Sequence, residues 1–282
     1  ARKGQKIILE FGELLRDGEL TLENIQCKNK HKTTPLQRVE YICKEGKNHY
    51  KTKFAIFGFQ YVSVGTDIDI DPENFTAIAV YSDMDETGYF NSSNELLNKF
   101  GEATKWSAKG NSTDLPTDCP TRERHGWTGD AQVFFRTATF NRDVQTFFNK
   151  WMADVAAEQY ADGAVNGVYP VTHRSRISAG WGDVATIIPW QHYMAYGDLR
   201  MLERQYPSMK KWVDYITSQT ENDLWSKGNS YGDWVFFSYA DDKDGRSAVT
   251  IRPFIQQCFY AHSLDLVVRT ARLLGRTKDA AK

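Results

Sequence analysis

Between Asp114 and Asp130 the chain gathers groups that can move protons and grip a polar ligand. The carboxylates of Asp114, Asp118, Glu123 and Asp130 stand among Arg122, Arg124 and Trp127. Pro116 and Pro120 fix φ and lower the entropy of a loop that must hold its side chains still. Gly126 and Gly129 permit turns and the close approach of a ligand. Asp130 falls at the start of an expected helix, where the macrodipole favours a carboxylate. The segment offers neither a metal triad nor a Ser-His pair, so its carboxylates and tryptophan point to general acid–base work on a polar, uncharged substrate. Sugars suit such a set: an aromatic face stacks on the C–H surface of a pyranose, and Asp or Arg side chains bind its hydroxyls. A glutamate among arginines and other acids can have its pKa pushed either way, and a general acid needs it raised. An Arg–carboxylate cluster that merely pins a loop would use the same residues.

Other chemistries find less support. The 282 residues carry 35 Lys+Arg against 36 Asp+Glu, a formal net charge of −1, which leaves no basic footprint for a nucleic acid. No run reaches the roughly 18 consecutive apolar residues of a membrane span. The four cysteines, at 27, 43, 119 and 258, show no CxxC and no His partners at zinc distances, and nothing supports a Cys27–Cys43 bridge. The acidic run at Asp67, Asp69 and Asp71 reads as a solvated loop, since an EF-hand's glycine and distal glutamate are missing. His125 is expected to hold a loop hydrogen bond, and His173 to lie exposed.

The elements that must position Asp114–Asp130 change character along the chain. All eight tryptophans lie at or after Trp106. Before residue 90, Leu36–Cys43, Lys51–Val64 and Phe75–Tyr81 have the short or alternating apolar patterns of strands, divided by turn signals, which suggests part of a sandwich or barrel. After Gly88 the period becomes helical. Ser92 and Glu95 have capping-box spacing, and Leu96, Phe100, Ala103 and Trp106 fall on one face. Helices are expected at 130–139, 143–159, 183–196, 198–206, 208–219 and 253–274, with Pro207 as a fresh start and Gly197 and Gly275 as stops. Trp106, Trp151, Trp190 and Trp212 sit at helical spacing and read as core. No βαβ alternation, GxGxxG or P-loop appears, so helices joined by short turns and long loops suit a toroid better than an α/β domain.

The run from Pro116 to Gln132 resembles the signature of bacterial α-L-rhamnosidases, glycoside hydrolase family 78. Gly58–Val62, Tyr81–Phe90, Ser92–Lys109, Gly180–Asp183 and Tyr231–Trp234 are similar to that family too, and the resemblance covers about residues 55–275. It implies a multidomain β + α chain: the C-terminal strands of a β-sandwich over residues 1–87, followed over 88–282 by part of an (α/α)6 helical barrel.

The resemblance also implies an exo-acting α-L-rhamnosidase that hydrolyses with inversion. Its general acid falls on Glu123, aligned by the distance to Gly126 and Trp127; an acidic residue that many members carry before this glutamate is absent here. Asp118 and Asp130 would grip the rhamnose hydroxyls with Arg122 beside them. Trp127, Trp181 and Trp234 would line the sugar pocket, and Asp183 would contact substrate. No metal and no organic cofactor is implied, and the expected partner is an L-rhamnose-containing glycoside, oligosaccharide or polysaccharide, with no nucleic acid and no membrane. Inversion needs a second carboxylate roughly 6.5–9.5 Å from the acid. In the family that base lies beyond the position of Lys282, so the chain is expected to be a fragment with about half the barrel. Asp183 or Asp233 would serve only in a rebuilt site. The rivals are a non-catalytic rhamnose-binding relic and another (α/α)6 exo-glycosidase.

Overall fold

The computed structural model describes residues 1–26, 37–67, 69–173, 175–234 and 250–281. Two compact units emerge, one formed by Ala1–Ser82 with Glu102–Arg124, the other by Asp83–Gly101 with His125–Lys282.

The first unit is built on β structure. Strands β1 (Lys6–Gly12), β2 (Leu14–Arg16), β3 (Glu19–Thr21), β4 (Arg38–Ile42) and β5 (Tyr61–Thr66) are followed by the two-residue strands β6 (Ser112–Thr113) and β7 (Leu115–Pro116). β1 is the centre of an antiparallel sheet of order β4-β1-β5. β2 and β3 form a hairpin whose two turn residues, Asp17 and Gly18, both have positive φ, the backbone that matches the twist of paired strands. Alternation places Val39 and Cys43 inside and Arg38 and Glu40 outside. Glu10 lies opposite Arg38, which pairs with Glu10 at 2.9 Å and Glu40 at 2.7 Å.

Two expected strands are corrected here. Lys51–Val64 is extended only from Tyr61; residues before it are held by side chains, with Phe57 stacked on Phe11 at 4.4 Å and the Gly58 carbonyl accepting from Gln37. Phe75–Tyr81 forms no strand, because no described segment pairs with it. Cys43 and Cys119 are buried free thiols; Cys27 and Leu36 lie outside the described residues.

Helix α1 (Glu95–Gly110) carries residues of both units, and the second unit continues with α2 (Thr128–Asn141), α3 (Gln145–Ala157), α4 (Val184–Tyr196), α5 (Leu199–Ser218), α6 (Arg252–Leu273) and α7 (Thr277–Ala280). α4 packs against α2, α3, α5 and α6. Its run Val184–Pro189 is buried on all sides, as a helix wrapped by neighbours must be. Gly197 ends it in the left-handed conformation, φ 65°. Leu202, Tyr206, Met209 and Val213 of α5 pack with Val267 and Ala271 of α6, and Phe135, Phe148 and Trp151 form an edge-to-face series between α2 and α3. Among the described residues no helix is long and apolar enough to cross a membrane.

Three helical expectations need correction. Pro207 does not break the chain into two helices: it sits inside α5, exposed, and Glu203, whose carbonyl loses its donor, faces solvent as well. The buried stripe from Met201 to Ile216 runs past it unbroken. α1 is capped by Asn94, whose Oδ1 accepts the Leu96 amide at 2.9 Å, rather than by Ser92, whose hydroxyl donates to the Asn94 carbonyl. The apolar face of α1 is not core, since Leu96, Phe100 and Trp106 are 74%, 71% and 58% exposed. Trp151 and Trp212 are fully buried as expected, Trp190 partly.

Candidate active site

The segment Asp114–Asp130 is divided between the units, the boundary falling between Arg124 and His125. In the first unit, Asp114 turns β6 into β7 with φ 70°, and Thr117 ties the following loop to Asn111 through its amide and hydroxyl. Glu13 then organises the next residues. One of its oxygens accepts the Thr121 hydroxyl at 3.0 Å; the other accepts Arg122 at 3.2 Å and Asn24 at 3.0 Å. Arg122, expected beside the substrate carboxylates, is thus drawn to Glu13 and to the Asn24 carbonyl. Arg124, at φ 55°, donates to the carbonyl of Ile56 and to Gln37, and burial holds its guanidinium below the ordinary arginine range. Glu123 and Asp118 are half-buried. The Glu123 amide donates to Cys119 Sγ at 3.1 Å, and burial together with the neighbouring Asp118 pushes the Cys119 thiol up.

The second unit carries the aromatic residues. Trp127 caps the start of α2 in an extended conformation. Asp130 lies exposed in the first turn of that helix, where its charge complements the helix dipole. Trp181 rests on the same helix start. A Cβ on Gly129 would come within 2.6–2.8 Å of its indole, so only glycine admits the ring there. Tyr231, which sequence reasoning quoted only as part of a motif, joins the three expected tryptophans: its ring lies 6.4 Å from Trp127, 4.6 Å from Trp181 and 5.5 Å from Trp234, all edge-on. Arg176 stands 5.9 Å over the Tyr231 ring. His173 approaches both His125, at 5.5 Å, and Trp127, at 6.3 Å.

Asp183 departs from its expected contact with substrate. It is completely buried, with Oδ1 accepting from Trp212 Nε1 at 3.0 Å and from Ser263 at 2.5 Å, and Oδ2 accepting the Gly180 amide at 2.8 Å. Its oxygens brace the loop that carries Trp181, and burial raises its pKa against the pull of those donors. The sequence places Asp183 at a helix start but cannot show that Trp212 and Ser263 close over it.

The packed helices of the second unit, with aromatic rings gathered at their loops, fit a helical toroid. Residues 85–282 match the bacterial alpha-L-rhamnosidase 6 hairpin glycosidase domain, and residues 1–81 match the bacterial alpha-L-rhamnosidase concanavalin-like domain. An alpha-L-rhamnosidase of Formosa agariphila is 38% identical over 99% of this chain and 30% of its own length. The solved structure of native α-L-rhamnosidase from Aspergillus terreus is 33% identical, with a TM-score of 0.89 over 100% of this chain and 33% of that one. That of the Streptomyces avermitilis enzyme, complexed with L-rhamnose, is 31% identical with a TM-score of 0.87, over 98% of this chain and 26% of that one. The chain belongs to the bacterial α-L-rhamnosidase family, and it joins a concanavalin-like β domain to six-hairpin glycosidase helices in the expected order. It spans about a third or less of the length of these three relatives.

Proposed function

We propose that the protein is an exo-acting α-L-rhamnosidase that inverts configuration, with residues 1–87 as its β-sandwich portion and 88–282 as its barrel portion. The observation that carries the reading is the meeting of Trp127, Trp181 and Trp234 around Tyr231. Such a wall offers stacking area for the apolar faces of a deoxy sugar.

In this reading the Glu123 carboxyl gives its proton to the glycosidic oxygen as the C–O bond breaks through an oxocarbenium-like transition state, and water attacks the opposite face. Asp118 and Asp130 accept from sugar hydroxyls. Arg122, paired with Glu13, steadies the segment that carries Glu123. Neither Asp183 nor Asp233 is assigned as base: the first has both oxygens occupied internally, and Oδ2 of the second accepts the Thr250 amide at 3.1 Å.

The test is hydrolysis of p-nitrophenyl α-L-rhamnoside by the full-length protein, followed by proton NMR of the first sugar released. Release of the β anomer supports the reading. Release of the α anomer overturns inversion, and rhamnose binding without turnover favours a non-catalytic binding protein.

A further inference from the structure

We infer that Asn166 is a positioning residue for Trp127, an inference that rests on the rhamnosidase reading for its catalytic consequence though not for its geometry. Asn166 is completely buried in the loop between α3 and α4. Its Nδ2 donates to the carbonyls of Val168 at 2.9 Å and His173 at 3.2 Å. Its Oδ1 accepts the Ser175 amide and hydroxyl, both at 2.8 Å, and the Tyr160 hydroxyl at 3.4 Å. The side chain thus uses both donors and its full acceptor capacity, and its own amide donates to the Tyr169 hydroxyl at 3.0 Å. A buried polar group this fully engaged holds one loop conformation, because every alternative strands several partners at once.

What that loop holds is the backbone around Trp127. The Gly167 carbonyl accepts the Thr128 amide at 2.9 Å and its hydroxyl at 3.2 Å. The Tyr169 amide donates to the Gly126 carbonyl at 3.0 Å, and Val168 bridges Trp127. Gly167 in turn donates to the Ser175 hydroxyl, the same hydroxyl that donates to Asn166. A Cβ on Gly167 would lie 3.2 Å from the Trp127 ring, so the loop backbone packs directly on the indole. Trp127 is therefore held from the side by residues 166–169, and His173, fixed through its carbonyl, closes against its edge. A sugar-stacking ring displaced by even a fraction of an ångström binds its substrate less well.

The experiment is Asn166→Asp in the full-length protein, a nearly isosteric change that keeps the acceptors and removes both donors. Hydrogen exchange should show lost protection at the Thr128 and Tyr169 amides. KM for p-nitrophenyl α-L-rhamnoside should rise about tenfold at neutral pH, while kcat changes far less. The KM ratio to wild type should fall toward acid, where the introduced carboxyl regains a proton to donate. Val267→Ala, in the cluster between α5 and α6, is the control for a general loss of stability; it should lower Tm and leave KM unchanged. Unaltered exchange at Thr128 and Tyr169 would overturn the positioning role whatever the kinetics. Lost protection with an unchanged KM would overturn its link to the sugar, and silence of the wild type toward rhamnosides would overturn the functional reading alone.

Discussion

The indole Nε1 of Trp212, on α5, donates to Oδ1 of Asp183 at the start of α4 across 3.0 Å of fully buried space. Ser263 on α6 completes the arrangement at the same oxygen, and its hydroxyl also meets that of Thr186 at 2.7 Å. One carboxylate thus ties together three helices and, through the Gly180 amide, the loop that presents Trp181. Asp183→Ala is expected to strand the donors of Trp212, Ser263 and Gly180 and lower stability by about 3 kcal/mol, read as a fall in the urea midpoint. Trp181 fluorescence should shift with it.

Glu123→Gln keeps the shape of the side chain and removes its transferable proton. If Glu123 is the general acid, kcat on an aryl α-L-rhamnoside with a poor leaving group should drop by about 10²–10⁴-fold. Rhamnose affinity by calorimetry should stay close to wild type. An unchanged rate in the full-length protein would remove Glu123 from the mechanism.

Glu13 lies 109 residues before Arg122 yet holds Thr121, Arg122 and Asn24 together. Both charged groups are about a third exposed, so the ion pair itself contributes little, roughly 0–1 kcal/mol. The consequence to look for is kinetic. Glu13→Ala should leave Tm within a few degrees and lower kcat/KM by about tenfold, by freeing the residues that flank Glu123. A fall in stability with intact kinetics would make Glu13 purely structural.

The contrast between Glu13 and the tryptophans explains what was legible in the sequence. Trp127, Trp181 and Trp234 stand in runs that only the family resemblance singled out, whereas α4 and α6 are announced by the glycines that follow them, Gly197 and Gly275. Pro207 misled because a helix break is a local rule, whereas α5 is held by a buried stripe whose partners on α4 and α6 are distant in sequence. Glu13 and Asn166 carry no local signature: each matters through contacts closed by the fold. The β2–β3 hairpin did leave a signal, Asp17-Gly18 between Arg16 and Glu19, of the kind that specifies a two-residue turn. The placement of Asp183 could not be read, since a carboxylate at a helix start serves a ligand or a buried donor equally well until the neighbours are known.

His192 on α4 offers a pH test of the helical unit. It is completely buried, with the Gln145 backbone as the polar neighbour of its ring. Phe135 of α2 lies 6.3 Å from its ring and Tyr196 4.9 Å. Burial dominates and lowers its pKa, with Asp198, Asp143 and the Gln145 backbone raising it and Arg204 lowering it further. Because the folded pKa lies below that of the unfolded chain, the unfolded state binds more protons once the pH drops under about 6.5. Stability is therefore fully present above that pH and declines below it, by at most about 1.4 kcal/mol per pH unit for one group. His192→Phe removes the titrating ring while keeping an aromatic side chain, so urea midpoints measured from pH 7 to pH 5 should decline less steeply than in the wild type. Parallel declines in the two proteins would show that His192 is not the group that titrates.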